Sequence, residues 1–459
     1  MSRGATNAAR KPQPSQQRQR PRPVPASGRA NPQTPAKRRP AEDPRKGRPA
    51  DRRGHSGRSG RTTKAADRKD MRTGAARGSA KSRRATAAKR SQVSTNQLSY
   101  FVLVPTVLLL CLGLVMVFSA GSVLGLTPGG SAYRVFIQQV AWAVLGLGLM
   151  IFFSRFDYHK LGKISWVGVI ASIVMLCAVL AIGTVVGGAR RWISVGPLNI
   201  QPTEIAKFTA VIFAAYVLAM KGDRLKKFSQ LAIPVLLLVA IEGGLILMQP
   251  DLGSALVLAF SVLLVAGLSQ ARPRHIAAVC ATGGTAAVVA MVAAPYRRAR
   301  LFSFINPWKS PRGYGYHVIQ SYIALGTGHI KGVGIGMSTQ KFLYLPNAHT
   351  DFIFAIIGEE LGLVGTMTVV VLVGVLAVGG FLIARHAKDD LGRLLAAGIV
   401  GLIVIQALVN MGGVVGLLPI TGVPLPLVSA GGSSLCICMG CIGILLNIAT
   451  QSKDGRARQ

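Results

Sequence analysis

The stretch 345–386, "LPNAHTDFIFAIIGEELGLVGTMTVVVLVGVLAVGGFLIARH", decides the fold. From Phe352 to Ala384 it carries only two charged side chains, Glu359 and Glu360. About 20 apolar residues suffice to cross the hydrocarbon core of a bilayer. This segment therefore spans a membrane with length to spare, tilting or projecting beyond it. Its entrance is polar, and Asp351 stands there as a carboxylate at the lip of a membrane helix.

Outward from that stretch, further long apolar blocks follow the same rule. Ten spans are expected, at 100–120, 135–154, 164–184, 202–220, 231–249, 252–269, 276–294, 352–384, 394–415 and 431–450. The fold class is an all-α polytopic membrane protein, with a ten-helix domain over 99–450 and a short cytoplasmic tail over 451–459. No internal repeat is evident, which weighs against a transporter built from inverted halves.

The chain has 459 residues and a net charge of +37, and residues 1–98 hold 27 Lys and Arg against 5 Asp and Glu. That segment lacks apolar runs and cannot bury enough surface to offset the entropy of ordering, so it reads as a disordered tail. It has no interleaved aromatics and no nucleic-acid-binding module. Its expected contacts are anionic lipid headgroups. The first apolar run is too long for a cleaved signal and reads as a signal anchor.

Orientation follows from Lys and Arg in the short loops. With the tail inside, "SRFDYHKLGK", "KGDRLKKF", "SQARPRH", "ARHAKDDLGR" and the C-terminus are cytoplasmic, so both termini lie inside. Two outer segments are basic against this trend: "VVGGARRWISVGPLNIQPTE", with Arg190 and Arg191, and the large extracytoplasmic loop between helices 7 and 8, residues 295–351. That loop carries Arg297, Arg298, Arg300, Lys309, Arg312, Lys331 and Lys341, together with aromatics and glycine turns. Basic residues kept on the outer face suggest an anionic ligand, and snorkelling to headgroups is the plainer account of any one of them.

The six cysteines lie in apolar blocks, where Cys acts as a small hydrophobe. No HExxH, Walker A loop or cluster of metal ligands supports zinc or ATP chemistry. Six carboxylates fall in the membrane or at its outer rim: Glu204, Glu242, Asp251, Asp351, Glu359 and Glu360. Such groups are functional candidates by default. Glu204 and Lys207 share a helix face, as an ion pair between helices or as the polar wall of a substrate cavity. Asp251 follows Pro250 at a helix start, where capping is the leading account. Capping is the bland reading of Asp351 too, but His349 and Thr350 precede it and the basic loop ends on it. Glu359 and Glu360 lie deeper and read as structural. "STQK" at 338–341 matches S-x-x-K of penicillin-binding enzymes, yet no S-D-N or K-T-G accompanies it, and it reads as chance.

The blocks "GGARRWISVGPLNIQPTEIAKF", "QPDLGSALV", "PYRRARLFSFINPW", "GYGYHVIQS", "YLPNAHTDFIFAIIGEELG" and "LLPITGVPLPLVSAGGSSL" resemble, in order, the signatures of the SEDS family (shape, elongation, division and sporulation). "FINPW" and "LLPITGVPLP" are closer to its division and sporulation branch, with the cell-division member favoured. The resemblance implies a ten-helix SEDS fold and a peptidoglycan glycosyltransferase polymerising lipid II at the outer face of the bacterial plasma membrane, at the division septum. It implies a class B penicillin-binding protein as transpeptidase partner, and other division proteins, with cytoplasmic ones as further contacts of the basic tail. It places the catalytic aspartate on Asp351, and substrate-binding residues on Arg191, Glu204, Lys207, Arg297 and Arg300, with His349 beside them. A divalent cation, Mg or Mn, is compatible with the chemistry. The chain departs from the family at Lys309 and Ser310, where acidic residues are common, at Asn347, often Glu, and at Ala430, often Tyr. Rival readings are a flippase for lipid-linked precursors and a non-enzymatic division scaffold.

Overall fold

A computed structural model describes residues 95–457 except 124–131, 187–188, 197, 314 and 343. The expectation of a disordered basic tail lies almost wholly outside the described residues. The helices are α1 (Thr95–Gly121), α2 (Ala132–Arg155), α3 (Tyr158–Ile182), α4 (Pro202–Lys221), α5 (Phe228–Met248), α6 (Leu252–Gly267) and α7 (Pro273–Ala293). They continue with α8 (Pro295–Ile305), α9 (Tyr316–Gly328), α10 (Ile353–His386), α11 (Asp390–Val414) and α12 (Gly432–Ala457).

Among the described residues nine helices are long and apolar enough to cross a membrane. The expected sixth span is present as α6 with 16 residues, about 24 Å at the helical rise, shorter than the ~30 Å hydrocarbon core. The start of the third span also differs. Asp157 caps α3 by accepting from the His159 amide at 3.0 Å, so the helix begins at Tyr158 rather than near 164.

The bundle is not purely helical. Thr184–Val186 (β1), Ala189–Val195 (β2) and Leu198–Ile200 (β3) form a three-stranded antiparallel sheet in the order β1-β2-β3. Val185 pairs with Arg190 and Thr184 with Trp192, which leaves Arg191 as the extra residue of a bulge. Helical periodicity is absent from "VVGGARRWISVGPLNI", and its β-branched residues and glycine turns suit short strands instead.

α11 and α12 are enclosed along most of their length, while α7 is buried hardly at all. α12 packs on α2, α10 on α1 and α11, and α4 on α3 and α11. Cys438 and Cys441 carry a C-x-x-C spacing, which on α12 is one helical turn; both are buried free thiols inside the core.

The length of α10 has a cause other than tilt. Gly362 has φ 68°, and the helix breaks there. The chain after α9 fits into the break: Val333 and Gly334 amides donate to the Glu359 and Glu360 carbonyls at 2.9 and 3.0 Å, and Leu363 donates to the His329 carbonyl at 2.9 Å. A left-handed backbone favours glycine at 362, and the inserted loop satisfies the backbone groups the break frees. The first two turns of α10 thus belong to the loop assembly, and the part beyond Gly362 is the span.

Candidate active site

Asp351 sits where the α9–α10 connection meets the loop between α11 and α12. Three consecutive carbonyls hold it. Ala430 donates its amide to the His349 carbonyl at 3.0 Å, Ser429 Oγ to the Thr350 carbonyl at 2.6 Å, and Asn410 Nδ2 to the Asp351 carbonyl at 2.8 Å. Asn410 Nδ2 also donates to the Val423 carbonyl at 2.8 Å, which ties α11 to both strands of the junction. Asn347, at φ 56°, turns the chain, and the Thr350 and Phe352 amides donate back to its carbonyl. Asn tolerates that left-handed turn better than Glu would.

All of this fixes the backbone and leaves the carboxylate alone. The N-cap of α10 is Phe352, without a side-chain cap bond, so Asp351 does not cap the helix. Among the described residues its carboxylate accepts no hydrogen bond. Asp251 behaves in the opposite way: its Oδ1 accepts from the Ser254 amide at 3.0 Å and caps α6. A Cβ at Gly422 would lie 3.5 Å from Asp351 Oδ2, so the carboxylate rests against bare backbone, in a narrow crevice with Asn410, Ile420 and Thr421. Burial, then the neighbouring Asp251 charge, pushes Asp351 up to about 6, against the opposing pull of Arg191 and Arg300.

The expected basic residues divide. Arg191, aimed by the bulge, donates from Nε to the Gln249 carbonyl at 3.1 Å and from a terminal nitrogen to the Pro250 carbonyl. Arg297 donates to the Leu247 and Ala290 carbonyls at 2.9 and 2.8 Å. Both guanidiniums thus satisfy the open carbonyls at helix ends, where positive charge complements the dipole. Arg300 is exposed, and among the described residues its guanidinium donates no hydrogen bond. It lines a cavity of about 340 Å³ with Ser303, Phe304, Gly313, His317, Val318 and Ile420. Ile420 lines the Asp351 crevice as well, so the two recesses adjoin.

Glu204 and Lys207 do not face that cavity. They are 2% and 1% exposed, and the Lys207 ammonium lies 2.8 Å from Glu204 and 2.7 Å from Gln406 Oε1. Gln406 continues to the Pro424 carbonyl at 3.1 Å, so the pair braces α4, α11 and the loop that carries the site. His349 contributes its carbonyl, and burial holds its ring below the usual histidine range and neutral.

Three supporting residues escape a reading of the sequence alone. Asn410 and Ser429 position Asp351 through its backbone, and Asn410, one turn after Gln406 in a largely apolar helix, was the available signal. His317 lies in "GYGYHVIQS", which shows no chemistry by itself; in the structure its ring stacks on Phe352 at 5.7 Å and 11°. "STQK" proves to be a carboxylate-binding turn. Ser338 and Thr339 hydroxyls and the Thr339 amide donate to Glu359, and Lys341 pairs with Glu360 at 3.0 Å.

Comparison with known proteins gives concordant findings. A family described as "Cell cycle protein", covering FtsW, RodA and SpoVE, matches residues 100–454. The chain is 39% identical over 354 residues to the "Probable peptidoglycan glycosyltransferase FtsW" of Geobacter metallireducens, covering 77% of this chain and 94% of that one. It is 37% identical over 350 residues to "Stage V sporulation protein E" of Bacillus subtilis, covering 76% and 96%. A solved structure described as "Structural coordination of polymerization and crosslinking by a peptidoglycan synthase complex" superposes with a TM-score of 0.63 at 28% identity, covering 76% of this chain and 97% of that one.

Proposed function

The chain belongs to the FtsW/RodA/SpoVE family of cell-cycle proteins, and from that premise we propose that it is a peptidoglycan glycosyltransferase that polymerises lipid II at the outer face of the bacterial plasma membrane. The site faces outward and both termini lie in the cytoplasm, in keeping with the basic short loops. The work is done at the division septum, beside a class B penicillin-binding protein that supplies the crosslinking this chain lacks. The likeness to a peptidoglycan synthase complex supports a partner of that kind.

The observation that carries the reading is Asp351: a carboxylate fixed by its backbone, accepting no hydrogen bond among the described residues, and raised to about 6. Glycan growth needs a sugar hydroxyl to attack an anomeric carbon that bears a polyprenyl diphosphate. Asp351 takes the hydroxyl proton as the new C–O bond forms. The bond from the anomeric carbon to the diphosphate oxygen breaks, and the diphosphate leaves with the electron pair. It needs no general acid, because it is already a weak base. It needs positive charge where its own charge grows, and Arg300 and Arg191 both bear on the site. One base with cations suffices, in contrast to the paired carboxylates of glycoside hydrolases. Attack from the face opposite the leaving group inverts the anomeric centre.

A divalent cation, Mg or Mn, would here take most of its oxygens from the diphosphate and from water rather than from a cage of protein side chains. Among the described residues no three His, Cys, Asp or Glu side chains converge, and Asp251 is already engaged as a cap. A flippase would need polar groups open along a path through the bilayer. The Glu204–Lys207 pair at depth is closed on itself and on Gln406, which favours the polymerase.

The test is polymerisation of lipid II by the purified protein with its class B partner, wild type against Asp351→Asn. The variant keeps size and shape but cannot take a proton. Loss of polymer from a folded, lipid II-binding variant is expected, and normal polymerisation by it would overturn the assignment of the base.

A further inference from the structure

The cavity of about 340 Å³ beside Asp351 is walled by α8 and α9, and it contains two basic side chains, Arg300 and His317. Arg300 bears electrostatically on both Asp351 and His317. The His317 ring is fixed on one face by Phe352, the residue after Asp351. Among the described residues its Nδ1 is buried without a hydrogen-bond partner. That leaves Nε2 as the ring nitrogen able to serve the cavity, and it becomes a donor when it takes up a proton there.

We propose that this cavity is the subsite for the donor's diphosphate, and that His317 Nε2–H is its second hydrogen-bond donor beside Arg300, taking up a proton as the diphosphate binds. This inference rests on the glycosyltransferase reading above and extends it to a residue outside the expected site.

The charges around His317 set the sign. In the free protein burial and the Arg300 charge hold the imidazole below the usual histidine range, hence neutral. The other groups nearby are Tyr316 on the same helix, and Asp351 with Asp251 and Arg191 beyond Phe352. A bound diphosphate diester brings two negative charges into the cavity that Arg300 and His317 line. It offsets the guanidinium and favours the imidazolium, whose hydrogen bond to phosphate is then charge-assisted. Binding therefore consumes protons, and affinity rises as pH falls. The pair also suits two phosphoryl groups better than one, because the guanidinium and the imidazole line the same cavity and each can take one.

The test uses the full chain in nanodiscs and a short-chain prenyl diphosphate diester of N-acetylglucosamine, whose diphosphate does not titrate between pH 6 and 8. Calorimetry in buffers of different ionisation enthalpy reads proton uptake directly. Wild type is expected to bind more tightly at pH 6 than at pH 8, with net uptake. His317→Gln is expected to bind roughly tenfold more weakly at pH 6, the size of one hydrogen bond to a charged group, with uptake abolished. Arg300→Ala is expected to weaken binding at both pH values. Asp351→Asn separates the two proposals: uptake persists in it if His317 is the acceptor, and vanishes if Asp351 is. Absence of uptake in wild type, or its survival in His317→Gln, overturns the inference without touching the role of Asp351. Polymerisation by Asp351→Asn would overturn that role and leave the binding result standing.

Discussion

Asp157 and Asp351 are two carboxylates at turns that precede membrane helices, and their surroundings drive them in opposite directions. Partial burial pushes Asp157 up, but hydrogen bonds from Gln451 and from the amide and ring of His159 bring it down to about 2. Asp351 has burial without those bonds and rises to about 6. The same contrast recurs within α10, where Glu359 and Glu360 are saturated by the 338–341 turn, Lys341 and Ser119. A carboxylate whose lone pairs are all engaged holds structure together. One that is positioned by its backbone and otherwise unbound is available for chemistry.

The largest effect expected from this contrast is on turnover. Asp351→Asn should lower polymerisation by about 10²–10⁴-fold, the usual contribution of a general base, while leaving the melting temperature nearly unchanged. A large loss of stability in that variant would erase the distinction between the two kinds of carboxylate.

Lys341→Met should do the reverse. It leaves Glu360 buried without its cation, at about 3–5 kcal/mol, and thermal unfolding in detergent should show it. Adding Glu360→Gln should restore most of that loss, because the uncompensated charge is then gone. If the single variant melts like wild type, the pair at Glu360 is not structural.

Asp157→Ala should be milder, about 1 kcal/mol, for a lost cap at a partly exposed position. Its folded carboxyl is depressed, so its contribution is present above the ordinary carboxylate range and fades as pH falls towards about 2. Urea unfolding of wild type and variant at pH 7 and at pH 3 should show the gap closing in acid.

The smallest effect is a shift in a pH profile. A base at about 6 gives polymerisation an acid limb near that pH, with activity lost below it as Asp351 takes a proton. Asp251→Asn removes a charge that raises Asp351, so the limb should move to lower pH. A limb that stays in place would show that the two carboxylates do not feel each other.

The membrane class, most helix positions and Asp351 itself are legible in the sequence, because apolar length and a carboxylate at a helix lip are local properties. The sheet at 184–200 is less so: its strands are too short for a clear alternation, and Arg191 owes its direction to a bulge. The break at Gly362 was hidden inside one apolar run, since hydropathy does not sense backbone dihedral angles.

The candidate site divides in the same way. Basic residue types in an outer loop pointed to an anionic ligand, but which guanidinium is available depends on which helix ends happen to need carbonyl partners. Arg191 and Arg297 meet such ends, and Arg300 faces the cavity. Glu204 and Lys207 could have been a wall or a brace, and only the arrival of Gln406 from α11 made them a brace. His317 gained its place from a ring stack across more than thirty residues of chain.

By itself, then, the sequence determined that this chain crosses a membrane many times and holds one carboxylate at the mouth of its eighth long apolar block. The tertiary structure alone decided which charged groups are closed on one another and which remain open. Burial and hydrogen-bond saturation are set by neighbours from distant parts of the chain, and no local pattern of residues encodes them.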